Sequence, residues 1–298
     1  MRLLSFALCG ALAAPGALAQ QDFSKVEIRT TRLSATTYMM EGAGGNLGLS
    51  VGDDAVFLVD DQFAPLSEKI AAAIAKVTPR PVRFVLNTHW HFDHTGGNEN
   101  FQKAGAVVVA HENVRKRMNS EQFIEFLRTN VPPAAKGALP LVTFAGAMSF
   151  HMNGEEIRVI HVPRAHTDGD AIVHFLGSDV IHMGDAYFNG MYPFIDTSSG
   201  GTIEGVIAAA DQVLAVAGDK TKIIPGHGPL SNKAELQAYR DMLAAVSGRI
   251  RKMISEGRKL EEITAANVSA DFDDKWGKGF IGPAKFAEMV AMNILRNR

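Results

Sequence analysis

The apolar positions of this chain fall into many short runs. Runs that suit strands are Val26 to Thr30, Asn46 to Val51, Ala55 to Val59, Val82 to Leu86 and Ala106 to Ala110. Five more follow at Val142 to Phe150, Ile157 to His161, Ala171 to Phe175, Val180 to Met183 and Lys222 to Ile224. Helical spacing of apolar residues predicts helices over Leu66 to Val77, Ile203 to Ala217 and Lys233 to Ile254, and Pro283 opens a last one reaching Leu295. Strands dominate early, strands and helices then mix, and helices close the chain. That order predicts one α/β domain in which two stacked sheets are covered by helices.

The N-terminus follows another pattern. Arg2 precedes an apolar run from Leu3 to Ala14, and Ala17-Leu18-Ala19 forms a small-residue cleavage site before Gln20. The run has the length of a signal-peptide core and is short for a membrane span, which needs about 20 residues. The expected organisation is therefore a cleaved export signal over 1–19 and one domain over 20–298, helical over 233–298. Such a protein would be exported, to the periplasm, without lasting membrane insertion. The single cysteine, Cys9, lies inside the signal, so the mature chain would have neither a disulfide nor a thiolate ligand.

Composition narrows the function. With 46% hydrophobic and 21% charged residues, the chain can bury a sizeable core. Its 30 basic residues against 32 acidic ones, with no basic tract longer than Arg115-Lys116-Arg117, argue against a nucleic-acid partner. A small-molecule substrate is expected instead; the oligomeric state is not legible.

The chemistry concentrates in Val85-Leu86-Asn87-Thr88-His89-Trp90-His91-Phe92-Asp93-His94-Thr95-Gly96-Gly97-Asn98. A strand ends at Leu86 and four potential metal ligands follow within six residues. His89 and His91, two apart, can project the same way, while Asp93 and His94 reach a neighbouring point as the chain turns. Three imidazoles and a carboxylate suit a divalent ion such as zinc, with iron or manganese also compatible. Gly96 and Gly97 then lead into a helix near Asn98. Three later segments each place a ligand type where a strand releases its chain: His166 in Ala165-His166-Thr167-Asp168-Gly169-Asp170, Asp185 after Met183-Gly184, and His227 in Pro225-Gly226-His227-Gly228. All could converge on one sheet edge.

With T-H-W-H-F-D-H-T-G-G, A-H-T-D-G-D, M-G-D and P-G-H-G in this order between Ala43 and Ser231, the sequence resembles the metallo-β-lactamase-fold hydrolases. The resemblance implies an αββα sandwich of two mixed sheets and a site for two Zn²⁺ per chain. His89, His91 and His166 would hold one metal and Asp93, His94 and His227 the other, with Asp185 bridging. Asp93 would also orient the nucleophile, and Asp60, or its neighbour Asp61, would orient a ligand histidine from behind. The mature chain lacks the cysteine of the best-known β-lactamases. The bridging Asp185 looks like the thioesterases, lactonases and general hydrolases of the superfamily, and His91 stands where flavo-diiron relatives usually carry Glu.

The implied reaction is opening of an activated carbonyl in a β-lactam, lactone, ester or thioester by a water that two metals acidify to a pKa of about 7. A promiscuous β-lactamase is one form of it. A phosphodiester or phosphonate hydrolase is the alternative enzyme, and a non-catalytic metal-dependent binding or relay protein the alternative of another kind. Trp90, Phe92, Tyr187, Phe188, Asn189 and Tyr192 are candidate pocket residues, and Arg164 is the nearest candidate cation. The stretch Ala270 to Phe280 would either pack on the sandwich or cover the site. His111 is expected at a strand end or helix start, and His151, His161, His174 and His182 in packing roles.

Overall fold

Alternation along the short apolar runs decides which face each side chain takes. In Val56-Phe57-Leu58-Val59, all fully buried, Phe57 and Val59 point to one side and Val56 and Leu58 to the other. A strand buried on both faces must lie inside a sheet covered on both sides, and the computed structural model, which describes residues 22–297, places it there. The predicted signal and Cys9 lie outside the described residues.

Among the described residues the first sheet begins with β1 (Arg29–Arg32), β2 (Thr37–Glu41), β3 (Leu47–Val51), β4 (Val56–Val59), β5 (Val82–Asn87) and β6 (Val107–His111), side by side in chain order. A separate hairpin, β7 (Gln122–Ile124) and β8 (Thr129–Val131), interrupts the chain before β9 (Val142–Phe144) completes that sheet beside β6. The second sheet runs β10 (Ala147–Met152), β11 (Glu155–His161), β12 (Ala171–Phe175), β13 (Val180–His182), β14 (Lys222–Ile224) and β15 (Ser231–Asn232).

The two sheets share an apolar layer in which Phe57, Val59 and Leu86 meet Val159, Val173 and Ile224. On the outer face of the first sheet, Val56, Leu58 and Val85 pack against Ile70 and Ile74 of α1 (Ser67–Ala75). The short helices α2 (Phe92–Thr95), α3 (Asn98–Lys103) and α4 (Glu112–Met118) follow. The second sheet turns Ile172, Ile181 and Ile223 toward α5 (Ile203–Val216) and α6 (Lys233–Ser255), with α7 (Leu260–Ala265), α8 (Asp273–Trp276) and α9 (Pro283–Arg296) closing that layer. Both long helices start at a polar cap: Thr202 accepts from the Gly205 N–H, and Asn232 from that of Glu235. The result is the expected αββα sandwich.

Two expectations need correction. Val142 to Phe150 is not one strand. It breaks at Ala145-Gly146, so that β9 pairs with β6 in the first sheet and β10 with β11 in the second. Both halves are apolar because both face the shared layer, and the periodicity therefore hid the crossing. The first strand starts at Arg29 rather than Val26 and forms the sheet edge, and β2, which the apolar runs did not predict, lies between it and β3.

Strand direction sets where the site can be. β4, β5, β6 and β9 run parallel, so their C-terminal ends share one edge. β13 and β14 are also parallel, and β12 is antiparallel to β13, so the start of β12 lies at the same edge as the ends of the other two. Among the described residues no helix is long and apolar enough to cross a membrane.

Candidate metal centre

Each ligand type enters from one of these strand ends. β5 releases Thr88, His89 and His91, and α2 carries Asp93 and His94 a turn later. His166 comes from the loop between β11 and β12, Asp185 follows β13, and His227 follows β14. All seven predicted residues come together, in two groups: His89, His91, His166 and Asp185, all buried, and Asp93, His94 and His227.

In the first group His91 Nδ1 lies 3.1 Å from His89 Nε2 and 2.8 Å from His166 Nε2. Asp185 Oδ2 is 3.8 Å from His89 Nε2 and 3.6 Å from His166 Nε2. In the second, His94 Nε2 and His227 Nε2 are 3.4 Å apart, and Asp93 Oδ2 is 3.6 Å and 3.3 Å from them. Asp185 joins the two groups: its Oδ1 lies 3.1 Å from His94 Nε2 and its Oδ2 3.4 Å from His227 Nε2. Oδ1 is buried and has no hydrogen-bond partner among the described residues.

Outward hydrogen bonds fix which nitrogen each ring offers. His94 Nδ1 lies 2.8 Å from Asp60 Oδ2, and His166 Nδ1 lies 2.7 Å from the Phe194 carbonyl, so both donate outward and leave Nε2 bare. His91 is the reverse case: its Nε2 donates to Asp196 Oδ2 at 3.1 Å, leaving Nδ1 facing the cluster. His89 donates from Nδ1 to Thr88 Oγ1, which in turn donates to Asp60. Bare nitrogens turned toward one another repel unless a cation lies between them. Ligand atoms about 2.0–2.1 Å from a tetrahedral cation are separated by about 3.4 Å, in the middle of the distances found. The donor set fits divalent metal ions.

The cluster calls for positive charge: burial opposes protonation of His94 and His227, but Asp185 and Asp93 outweigh it, holding the His94 ring well above its ordinary value and the His227 ring at about 9, a charge that bound cations would supply in place of protons. Burial pushes the His166 ring down to about 4 and the His89 ring well below its ordinary value. Burial also opposes the charge on Asp93, but His94 and His227 overcome it and hold the carboxyl at about 2. Asp185 is likewise held well below the carboxylate range, burial being outweighed by His94 and His227.

The surroundings settle several open choices. Asp60, not Asp61, faces His94; it also accepts from the Thr88 N–H and sits at a left-handed backbone position, φ +60°. Asp61 accepts instead from the Gly97 N–H and helps hold the α2–α3 turn. Asp196, which sequence reasoning missed, backs His91 and also accepts from Ser198 and Ser199 hydroxyls, while Ser199 accepts from Trp90 Nε1. Its only sequence signal is the Asp196-Thr197-Ser198-Ser199 turn, 105 residues from His91. Asp170 accepts from the backbone and hydroxyl of Thr167 to brace the His166 loop, and burial pushes its carboxyl up to about 8.

A cavity of about 260 Å³ opens over the cluster, with His91, Asp93, Asp185 and His227 at its base. Phe92 and Phe188 line it as expected. Tyr187 and Tyr192 do not: they are buried, the first bonded to Ser231 and the second stacked on Phe286. Asn189 bonds to Pro229 and Glu235, and Trp90 is buried against Ser199. Arg164 turns to Asn297 instead of the cavity. The Ala270 to Phe280 stretch does both things foreseen for it, since Trp276 packs into the core while Phe280 reaches the cavity. His111 ends β6 and caps α4, and His182 is buried with Nε2 on the Asn46 carbonyl.

Similarities to known proteins follow the same lines. Over 178 residues the chain is 26% identical to a hydroxyacylglutathione hydrolase of Polaromonas sp., covering 59% of this chain and 60% of that protein. It is 28% identical over 142 residues to the alpha subunit of the 2,4-dinitroanisole O-demethylase of Nocardioides sp., covering 47% of this chain and 40% of the relative. The chain thus spans only part of the length of these curated relatives. Its fold matches the metallo-beta-lactamase from Pontibacter korlensis with a TM-score of 0.60 at 18% identity, over 73% of this chain and 99% of that one. The family model for the metallo-beta-lactamase superfamily matches residues 42–241, and with the donor cluster at the shared strand edge this makes the chain a member of that superfamily.

Proposed function

We propose that this protein is a hydrolase that uses two divalent metal ions, zinc in the first place, to open an activated carbonyl in a β-lactam, lactone, ester or thioester. The observation that carries this is Asp185, a buried carboxylate joining two groups of bare imidazole nitrogens, with one oxygen left without a hydrogen bond. His89, His91 and His166 would hold one ion, Asp93, His94 and His227 the other, and Asp185 both. Ions bound there supply an activated water at neutral pH and polarise the substrate carbonyl. Asp93, whose side chain is 20% exposed at the base of the cavity, orients that water by accepting its hydrogen bond. Asp60 and Asp196 hold the rings of His94 and His91 so that neither turns its N–H inward. The relatives named hydroxyacylglutathione hydrolase support carbonyl hydrolysis over phosphoester cleavage.

The test uses the purified chain after chelation and after reconstitution with zinc, manganese or iron(II). Two equivalents of metal should bind, and hydrolysis within a panel of chromogenic β-lactam, thioester, lactone and aryl ester should vanish on chelation and return with metal. Asp93→Ala should lower turnover at least about a hundredfold while thermal unfolding shifts little. Cleavage of bis(4-nitrophenyl) phosphate alone would establish the phosphodiesterase reading. Stoichiometric metal with no turnover of any substrate would establish a binding protein.

A further inference from the structure

We infer that the cavity is built for an uncharged, compact, apolar group beside the scissile bond, so that the substrates are neutral esters or lactones rather than carboxylate-bearing ones. The inference rests on the hydrolase reading above and deepens it.

The walls carry the argument. Phe63, Phe92, Phe188, Phe194 and Phe280 surround the cavity, and Ile124, Leu127 and Met191 fill the gaps between them. These side chains come from separated parts of the chain: the loop after β4, α2, the β7–β8 hairpin, the loop after β13 and the segment between α8 and α9. Two rings lie directly on proposed ligands. Phe188 stacks on His227, centroids 5.1 Å apart and planes within 15°, and Phe194 stacks on His91 at 5.8 Å and 22°. A group bound next to the donor cluster therefore meets phenyl faces.

No lysine or arginine lines the cavity among the described residues. Nearby cations pair or face elsewhere: Arg128, beside the wall residue Leu127, lines a separate pocket with Phe123 and Glu125. Arg117 grips Asp168 with two nitrogens, Arg296 grips Glu125 likewise, and Lys285 bonds Glu288 while lying over the Phe126 ring. Lys278, next to the wall in sequence, is exposed and pairs with Asp274. Away from the donor cluster at the base, a carboxylate seated against these phenyl walls would lose water and gain no partner. An apolar one gains about fourfold in affinity for each methylene buried. At about 260 Å³ the cavity lies below the 300–1,000 Å³ usual for ligand sites, so the group must be small.

The discriminating experiment compares 4-nitrophenyl hexanoate with mono(4-nitrophenyl) adipate on the zinc-reconstituted full chain. The two esters share a carbonyl and leaving group and differ by a carboxylate at the far end, away from the metals. The neutral ester should be preferred at least thirtyfold in kcat/KM, chiefly through KM; a ratio under about three, or a preference for the carboxylate, overturns the inference. Phe280→Lys, at a 60% exposed position, should raise kcat/KM for the adipate ester at least fivefold with metal content and melting temperature unchanged. No change in that ratio also counts against it. Calorimetric binding of hexanamide against adipamate reads the cavity without turnover, and the neutral amide should bind at least tenfold more tightly; equal binding overturns the inference. Selective amide binding by a protein that hydrolyses no carbonyl substrate would keep the pocket assignment and sink the hydrolase reading. Opening of a chromogenic β-lactam without discrimination between the esters or amides would do the reverse.

Discussion

Asp196 shows how one carboxylate decides which nitrogen a histidine presents. By accepting from His91 Nε2 it keeps the proton on the far side of the ring and leaves Nδ1 free toward His89 and His166. The Ser198 and Ser199 hydroxyls and burial hold Asp196 itself in place. Asp196→Asn keeps the shape but can offer an N–H where His91 needs an acceptor, which favours the wrong tautomer. Metal affinity, measured by competition with a chromophoric chelator, should fall about 10- to 100-fold, with little change in the unfolding temperature of the metal-free protein. Unchanged affinity would make Asp196 a turn residue only. This residue was illegible in the sequence because its partner is 105 positions away, whereas Asp60 was named, with Asp61 as its competitor, only through the resemblance to the superfamily, in which an aspartate at this strand end orients a ligand histidine.

At the scale of elements, the site depends on close approach between the turns that follow β13 and β14. A Cβ added at Gly226 would stand 2.0 Å from Asp185 Oδ1 and 2.6 Å from the Gly184 carbonyl carbon, and the backbone has little room to give because the Gly226 N–H bonds the carbonyls of Gly184 and Tyr187. Gly226→Ala should therefore displace Asp185, lower stability by about 1–3 kcal/mol in denaturant unfolding and abolish stoichiometric binding of the second metal. Normal metal content would show that the turn relaxes without cost. The turns carrying the proposed ligands were readable because each follows a short apolar run, and a strand end fixes direction as well as position. The crossing at Ala145-Gly146 was not, because β9 and β10 present the same kind of surface to the same core. Helices α5, α6 and α9 were legible to within a residue at their starts, since Thr202, Asn232 and Pro283 mark them chemically.

Across the whole molecule the two sheets are joined by more than apolar contact. His111, at the end of β6, stacks on His161, at the end of β11, with ring centroids 3.7 Å apart and planes within 11°. His111 Nε2 donates to the Ala145 carbonyl, and His161 Nδ1 to that of Asp170. Burial holds the His111 ring below its ordinary pKa; His161 opposes its charge, while Glu112 and Asp168 favour it. The folded state thus binds fewer protons there than the unfolded chain, so this contribution to stability is complete above about pH 6.5 and is lost as the pH falls below it. Melting temperatures of the wild type should drop more steeply between about pH 7 and pH 5.5 than those of His111→Gln, which keeps a donor but cannot titrate. Parallel curves would remove His111 from the account.

Phe280 reaches the cavity from a segment that holds none of the proposed ligands and whose anchor, Trp276, is fixed by its carbonyl to the Tyr192 N–H. A wall of the cavity can therefore change without touching the donor cluster: substitutions between α8 and α9 would alter what the cavity admits while the seven proposed ligands keep their places.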